Sequence, residues 1–112
     1  MNDSIWKLRY ITHGLYEWGK GYASNDVADK WRGSFDELDD RRWTVIKPGS
    51  SGECFRIAST RSCCYLHPMS GLLTLDNERE VSQVRDIITN AVKRCGCRVD
   101  FCEQKVSFKL EV

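Results

Sequence analysis

The sequence predicts an α+β fold: a two-layer sandwich of mainly antiparallel sheet with two amphipathic helices on one face. Three observations carry that expectation. Residues 77–95 hold a sustained helical stripe, the middle of the chain holds short β-like runs joined by tight turns, and both ends alternate apolar with polar residues. Strands joined by short turns must pair antiparallel, and an amphipathic helix needs a sheet face to cover its stripe.

From the start of the chain, Ile5 to Thr12 alternates, with Trp6, Leu8 and Tyr10 on one face and Lys7 and Arg9 on the other. That is the pattern of a half-buried strand. His13-Gly14 marks a turn, Leu15 to Trp18 is a candidate short return arm, and Gly19-Lys20-Gly21 interrupts regular structure. Ser24, Asn25 and Asp26 are helix-start residues, and Val27, Trp31, Phe35 and Leu38 follow on one helical stripe. Gly33 inside that stretch costs about 1 kcal/mol relative to alanine.

After the charged run Asp39-Asp40-Arg41-Arg42, strand-like segments cover Trp43 to Lys47, Cys54 to Ser59, Cys63 to His67 and Leu72 to Leu75. They are separated by Pro48-Gly49-Ser50-Ser51-Gly52, Thr60-Arg61-Ser62 and Pro68-Met69-Ser70-Gly71. In the second helix Asn77 and Glu80 have capping-box spacing, and Val81, Val84, Ile88, Ala91, Val92 and Cys95 form the stripe. Lys93 and Arg94 suit its negative end, and Gly96 suits the position after its cap. Cys97, Val99 and Phe101 then alternate inward, and the parity switches to Val106, Phe108, Leu110 and Val112. That switch predicts a closing hairpin with its turn at Cys102-Glu103-Gln104-Lys105.

Length sets the scale. The 112 residues suit one domain, and a chain of that size buries roughly 65% of its unfolded surface, enough for a core without metal or disulfide staples. Hydrophobic residues make up 41% and charged residues 29%, as in ordinary globular proteins. Formal net charge is +1, and neither half of the chain is a basic block, so the usual electrostatic footprint of a nucleic-acid binder is missing from the composition. The first twenty residues carry Asp3, Lys7, Arg9 and Glu17. No stretch approaches the ~18 apolar residues of a membrane span. The expectation is a cytoplasmic chain, without membrane partners, whose six cysteines are mostly thiols.

Familiar chemical motifs each fail at a named residue. Gly14 to Lys20 has phosphate-loop spacing, but Gly21 replaces the magnesium-binding hydroxyl and Glu17 would repel phosphate. Lys20-Gly21-Tyr22-Ala23 starts like an RNA-platform motif, yet Ser24-Asn25-Asp26 stands where aromatic and β-branched residues belong. A phosphatase-type loop counted from Cys54 meets Thr60 where arginine is needed. The bases available to a nucleophilic cysteine are His13 and His67. No pattern for a cofactor emerges, and the expectation leans away from an enzyme.

Three functional readings remain. The first is a small non-enzymatic binding or regulatory domain acting on a protein partner or on itself, through Tyr16, Trp18, Lys20, Tyr22 and Trp43, because so small a core cannot bury every aromatic. The second is a nucleic-acid accessory protein using Lys7, Arg9, Lys93 and Arg94, with Arg85 beside them. The third is a metal or redox module in which Cys64, His67, Cys95 and Cys97 converge. Its plain alternative is that Cys95 and Cys97 are small core residues, and that of the neighbours Cys63 and Cys64 at most one is buried.

Overall fold

A computed structural model describes residues 2–38, 42–48 and 53–109. The charged residues 39–41, the loop residues 49–52 and the final residues 110–112 lie outside that description. The order is β1 (Asn2–His13), β2 (Tyr16–Glu17), β3 (Gly21–Tyr22), α1 (Asn25–Asp36), β4 (Thr44–Ile46), β5 (Phe55–Ala58), β6 (Cys63–Leu66), β7 (Ser70–Leu75), α2 (Glu78–Arg94) and β8 (Arg98–Lys109). The α+β class expected from the sequence is the class observed: two helices pack against antiparallel sheets.

Both helices start where local chemistry tells them to. The Ser24 hydroxyl accepts from the Val27 N–H at 3.1 Å, and the Asn77 side chain accepts from the Glu80 N–H at 2.9 Å. Each satisfies one of the amide donors that a helix leaves open at its start. α1 buries Ala28, Trp31 and Phe35, while α2 buries Val81, Val84, Ile87, Ile88, Ala91 and Val92. These stripes meet each other and the inner faces of the strands in one contiguous core. Phe35 of α1 stacks on Phe55 of β5 with ring centroids 4.6 Å apart.

Two sequence expectations need correction. The first is the single sheet. The strands divide into a three-stranded sheet ordered β7-β1-β8, a second ordered β4-β5-β6, and the small β2-β3 hairpin. β7 leaves the meander because β1 captures the turn before it. The Thr12 N–H donates to the Met69 carbonyl at 2.9 Å, the Thr12 hydroxyl donates to the Pro68 carbonyl, and the Tyr10 hydroxyl donates to the His67 carbonyl at 2.6 Å. Gly71 completes the capture. It pairs with Tyr10, and a Cβ there would sit 2.6 Å from the Tyr10 ring, which is fully buried. Gly71→Ala is therefore expected to cost about 1–3 kcal/mol by overpacking, read as a lower urea midpoint. An unchanged midpoint would contradict this packing.

The second correction is the closing hairpin. β8 is one strand, paired with β1 in unbroken register from Arg98↔His13 to Lys109↔Asn2. The apolar parity does switch along it, for a different reason. Val99 and Phe101 pack against the core, but β7 reaches along β1 only as far as Trp6. Beyond that point β1 and β8 continue as a two-stranded ribbon, where Val106 pairs with Ile5 on the face opposite Leu8 and Tyr10. The polar run 102–105 crosses the edge of the core instead of turning. The ribbon helps make the molecule 53 Å long against 25 and 23 Å in the other directions.

Candidate functional site

The stretch from His13 to Tyr22 folds back on itself as the β2-β3 hairpin, with Tyr16 opposite Tyr22 and Glu17 opposite Gly21. Gly19 and Gly21 adopt φ of +85° and +87°, backbone that residues with a Cβ rarely take. Trp18 is therefore carried to the tip, where 74% of it is exposed. Its neighbours form a stack that holds the hairpin in place. The Tyr16 ring meets Tyr22 edge-on at 5.1 Å and His67 edge-on at 4.9 Å, and Trp18 tilts over His67 at 6.2 Å. The Arg32 guanidinium lies 5.3 Å from the centre of the Tyr22 ring.

Charges under this stack are arranged to stay quiet. The His67 Nδ1 accepts from the Met69 N–H at 3.0 Å, so the neutral ring carries its proton on Nε2, which faces the Glu53 carboxylate at 3.8 Å. Burial holds the His67 pKa below its ordinary value, with Glu53 pulling the other way. The Tyr16 hydroxyl donates to Glu53, which raises its pKa. Tyr22 is pushed up to about 12, mainly by burial. Cys54 is raised by burial and by Glu53. A nucleophilic thiol needs the opposite shift, because the thiolate is the reactive form. The group supplies rigid aromatic surface, and its geometry gives no activated nucleophile.

From Glu53 the surface continues over the outer side of β4-β5-β6. Ile46, Arg56 and Tyr65 lie abreast in the register of the three strands, and together with Glu53 and Cys54 they line a shallow groove of about 380 Å³. Tyr65 is 60% exposed, with the Arg56 guanidinium 6.0 Å from its ring centre. Trp18, His67, Glu53, Tyr65 and Ile46 thus form one continuous strip.

The structure gathers only part of the sequence-derived sites. Tyr16, Trp18 and Tyr22 are together, and Lys20 sits beside them in an ion pair with Glu17 at 3.4 Å. Trp43 does not belong with them. It is 4% exposed and its indole N–H donates to Gln83 at 2.8 Å, so its place in the interaction surface is withdrawn. Glu53 and Tyr65 went unnoticed as surface residues. Glu53 has no sequence signal, whereas Tyr65 is legible once Cys64 and Leu66 are seen to point inward.

The second hairpin feature is a cavity of about 510 Å³ beside it, lined by Thr12, His13, Tyr16, Lys20 and Tyr22 among others. His67 and the cysteines are not part of that lining. The four basic residues of the nucleic-acid reading occupy two sides of the molecule. Lys7 and Arg9 alternate with the buried Leu8 and Tyr10 and so face away from α2, and Lys7 donates to Thr74 at 2.7 Å. Lys93 and Arg94 end α2 on the covered side, where Arg94 pairs with Glu37. Arg85 pairs with Glu103.

The cysteines are all free. Cys64 is buried and Cys63 exposed, in line with their alternation. Cys95 bonds weakly to the Val27 carbonyl at 3.7 Å and Cys97 to the Cys95 carbonyl at 3.5 Å. Among the described residues no group of three or more His, Cys, Asp or Glu side chains is placed to hold a metal ion, so Cys64, His67, Cys95 and Cys97 do not converge. No helix among those residues is long and apolar enough to cross a membrane. Comparison with protein-family models, with curated proteins and with solved structures finds no match to this chain.

Proposed function

We propose that this protein is a non-enzymatic binding domain that docks a protein partner on the strip running from Trp18 to Tyr65. The observation that carries the reading is Trp18 itself: a large ring held out at the tip of a hairpin whose base is locked by Tyr16, Tyr22 and His67. Exposing so much apolar area is unfavourable for the free protein, and a pre-positioned aromatic loses little conformational freedom on binding. Tryptophan, tyrosine and arginine are the residues that most often anchor interfaces, and Trp18, Tyr65 and Arg56 supply all three. The nucleic-acid reading is weaker, because its basic residues do not share a face.

The test compares wild type with Trp18→Ala and Tyr65→Ala. Both side chains are exposed, so stability is expected to change by less than about 0.5 kcal/mol. A partner captured by wild type and then purified is expected to bind Trp18→Ala about 30-fold more weakly, the size of an interface hot spot. Equal affinity for wild type and both variants would overturn the reading.

A further inference from the structure

The ribbon described above leaves β8 with a long unpaired edge. β1 occupies one side of it from Arg98 to Lys109, and among the described residues no strand pairs with the other. The edge lacks two of the usual protections, since its register has no bulge and the strand contains no proline, and its charged residues Glu103 and Lys105 are of opposite sign. At the far end the ribbon is only two strands wide, since β7 stops pairing at Trp6, and two-stranded ribbons are marginal in water.

We propose that a second copy of this chain covers that edge, β8 against β8, in a two-fold antiparallel dimer centred on Gln104. Charge complementarity along the strand selects the second copy as occupant, and together with the length of strand paired it fixes the register. An axis at Val106 also gives two ion pairs, Glu103 with Lys109, but pairs only residues 103–109. With the axis at Gln104, Glu103 of each copy faces Lys105 of the other, giving two symmetric ion pairs. An axis at Glu103 or Lys105 would set like charges against each other, and one at Cys102 would form no charge pair. The chosen register opposes Val99 to Lys109, so almost the whole strand is paired. Every opposed pair also lies on the same face, which leaves both copies' helices on one side of a continuous sheet, β7-β1-β8-β8-β1-β7. Each exposed ribbon then lies against the base of the other copy's β8. Lys105 is free to serve, being exposed and 5.9 Å from the Trp6 ring centre, while Glu103 already sits beside Arg85.

The experiment is sedimentation of the whole chain across the micromolar to millimolar range, with hydrogen exchange of the β8 amides on the same samples. A concentration-dependent dimer is expected. Lys105→Glu is expected to weaken it about tenfold by turning two attractions into repulsions. Lys47→Glu, next to β4 of the other three-stranded sheet, is expected to leave it unchanged. The β8 amides that do not bond to β1 should become protected as the dimer forms. A monomer at every concentration overturns the proposal, as does a dimer indifferent to Lys105→Glu or one whose outward β8 amides exchange freely. Trp18→Ala is expected to leave the dimer intact, which separates this surface from the partner-binding strip.

Discussion

Trp43→Ala is expected to destabilise the protein by about 3–5 kcal/mol, the range for removing a buried large aromatic. The ring fills the core beside α2, and its N–H is satisfied by Gln83. Truncation removes the transfer energy of the ring, leaves a cavity, and strands the Gln83 carbonyl in a half-buried site. Trp43→Phe keeps much of the packing and loses the hydrogen bond, so a smaller loss, about 1–2 kcal/mol, is expected. Denaturant unfolding of both variants measures these losses. The outcome also separates Trp43 from Trp18, which has the same residue type but a different role. A surface anchor would lose binding with stability unchanged within about 0.5 kcal/mol, and that result for Trp43 would contradict the burial described above.

Glu80→Ala is expected to cost about 2–4 kcal/mol. Glu80 is only 7% exposed, and hydrogen bonds hold both oxygens of its carboxyl group. Its carboxylate accepts from the Ser59 hydroxyl, from the Ser62 hydroxyl at 2.5 Å and from the Asp76 N–H at 3.2 Å. The Ser59 oxygen in turn accepts from the Ser62 N–H at 2.9 Å. One side chain in the first turn of α2 therefore ties down both the β5–β6 turn and the joint between β7 and the helix. Removing it leaves the buried Ser62 hydroxyl without its acceptor and takes one acceptor from the part-buried Ser59 hydroxyl and Asp76 N–H, a larger loss than the roughly 1 kcal/mol of an ordinary helix-cap substitution. Glu80→Gln retains one acceptor oxygen and is expected to fall between the two in urea unfolding. A loss no greater than that of Asn77→Ala would show that the network is not the joint it is taken to be.

Glu80 also marks how far the sequence could be read. Its spacing from Asn77 identified the start of the helix, and the Asn77 side chain does cap there. In a capping box the acidic side chain returns to the cap residue's own N–H. Here it reaches the preceding residue, Asp76, and two serines from another element. Sequence spacing reports the local half of that arrangement, and the rest depends on which turn the fold brings alongside. The aromatics divide in the same way. Tyr16, Trp18 and Tyr22 stand out in the sequence because so small a core cannot bury every aromatic near its loops and strand ends. Of the three, Trp18 is the one left outside, while Tyr16 and Tyr22 pack against the core. Trp43 was grouped with them only because it begins a strand, and the strand's partners, not its composition, put it inside.

The two helices, the strand segments in the middle of the chain and the inward alternation of β1 were determined by the sequence alone, because they rest on periodicity and caps that act within a few residues. Tertiary structure decided the rest. It split the expected sheet in two, because Thr12, Tyr10 and Gly71 draw the turn at 67–70 onto β1. It also ran β8 straight through a segment that reads as a turn. The polarity of 102–105 records where the strand leaves the core, and a strand's apolar parity is tied to one face only while there is a core for that face to cover.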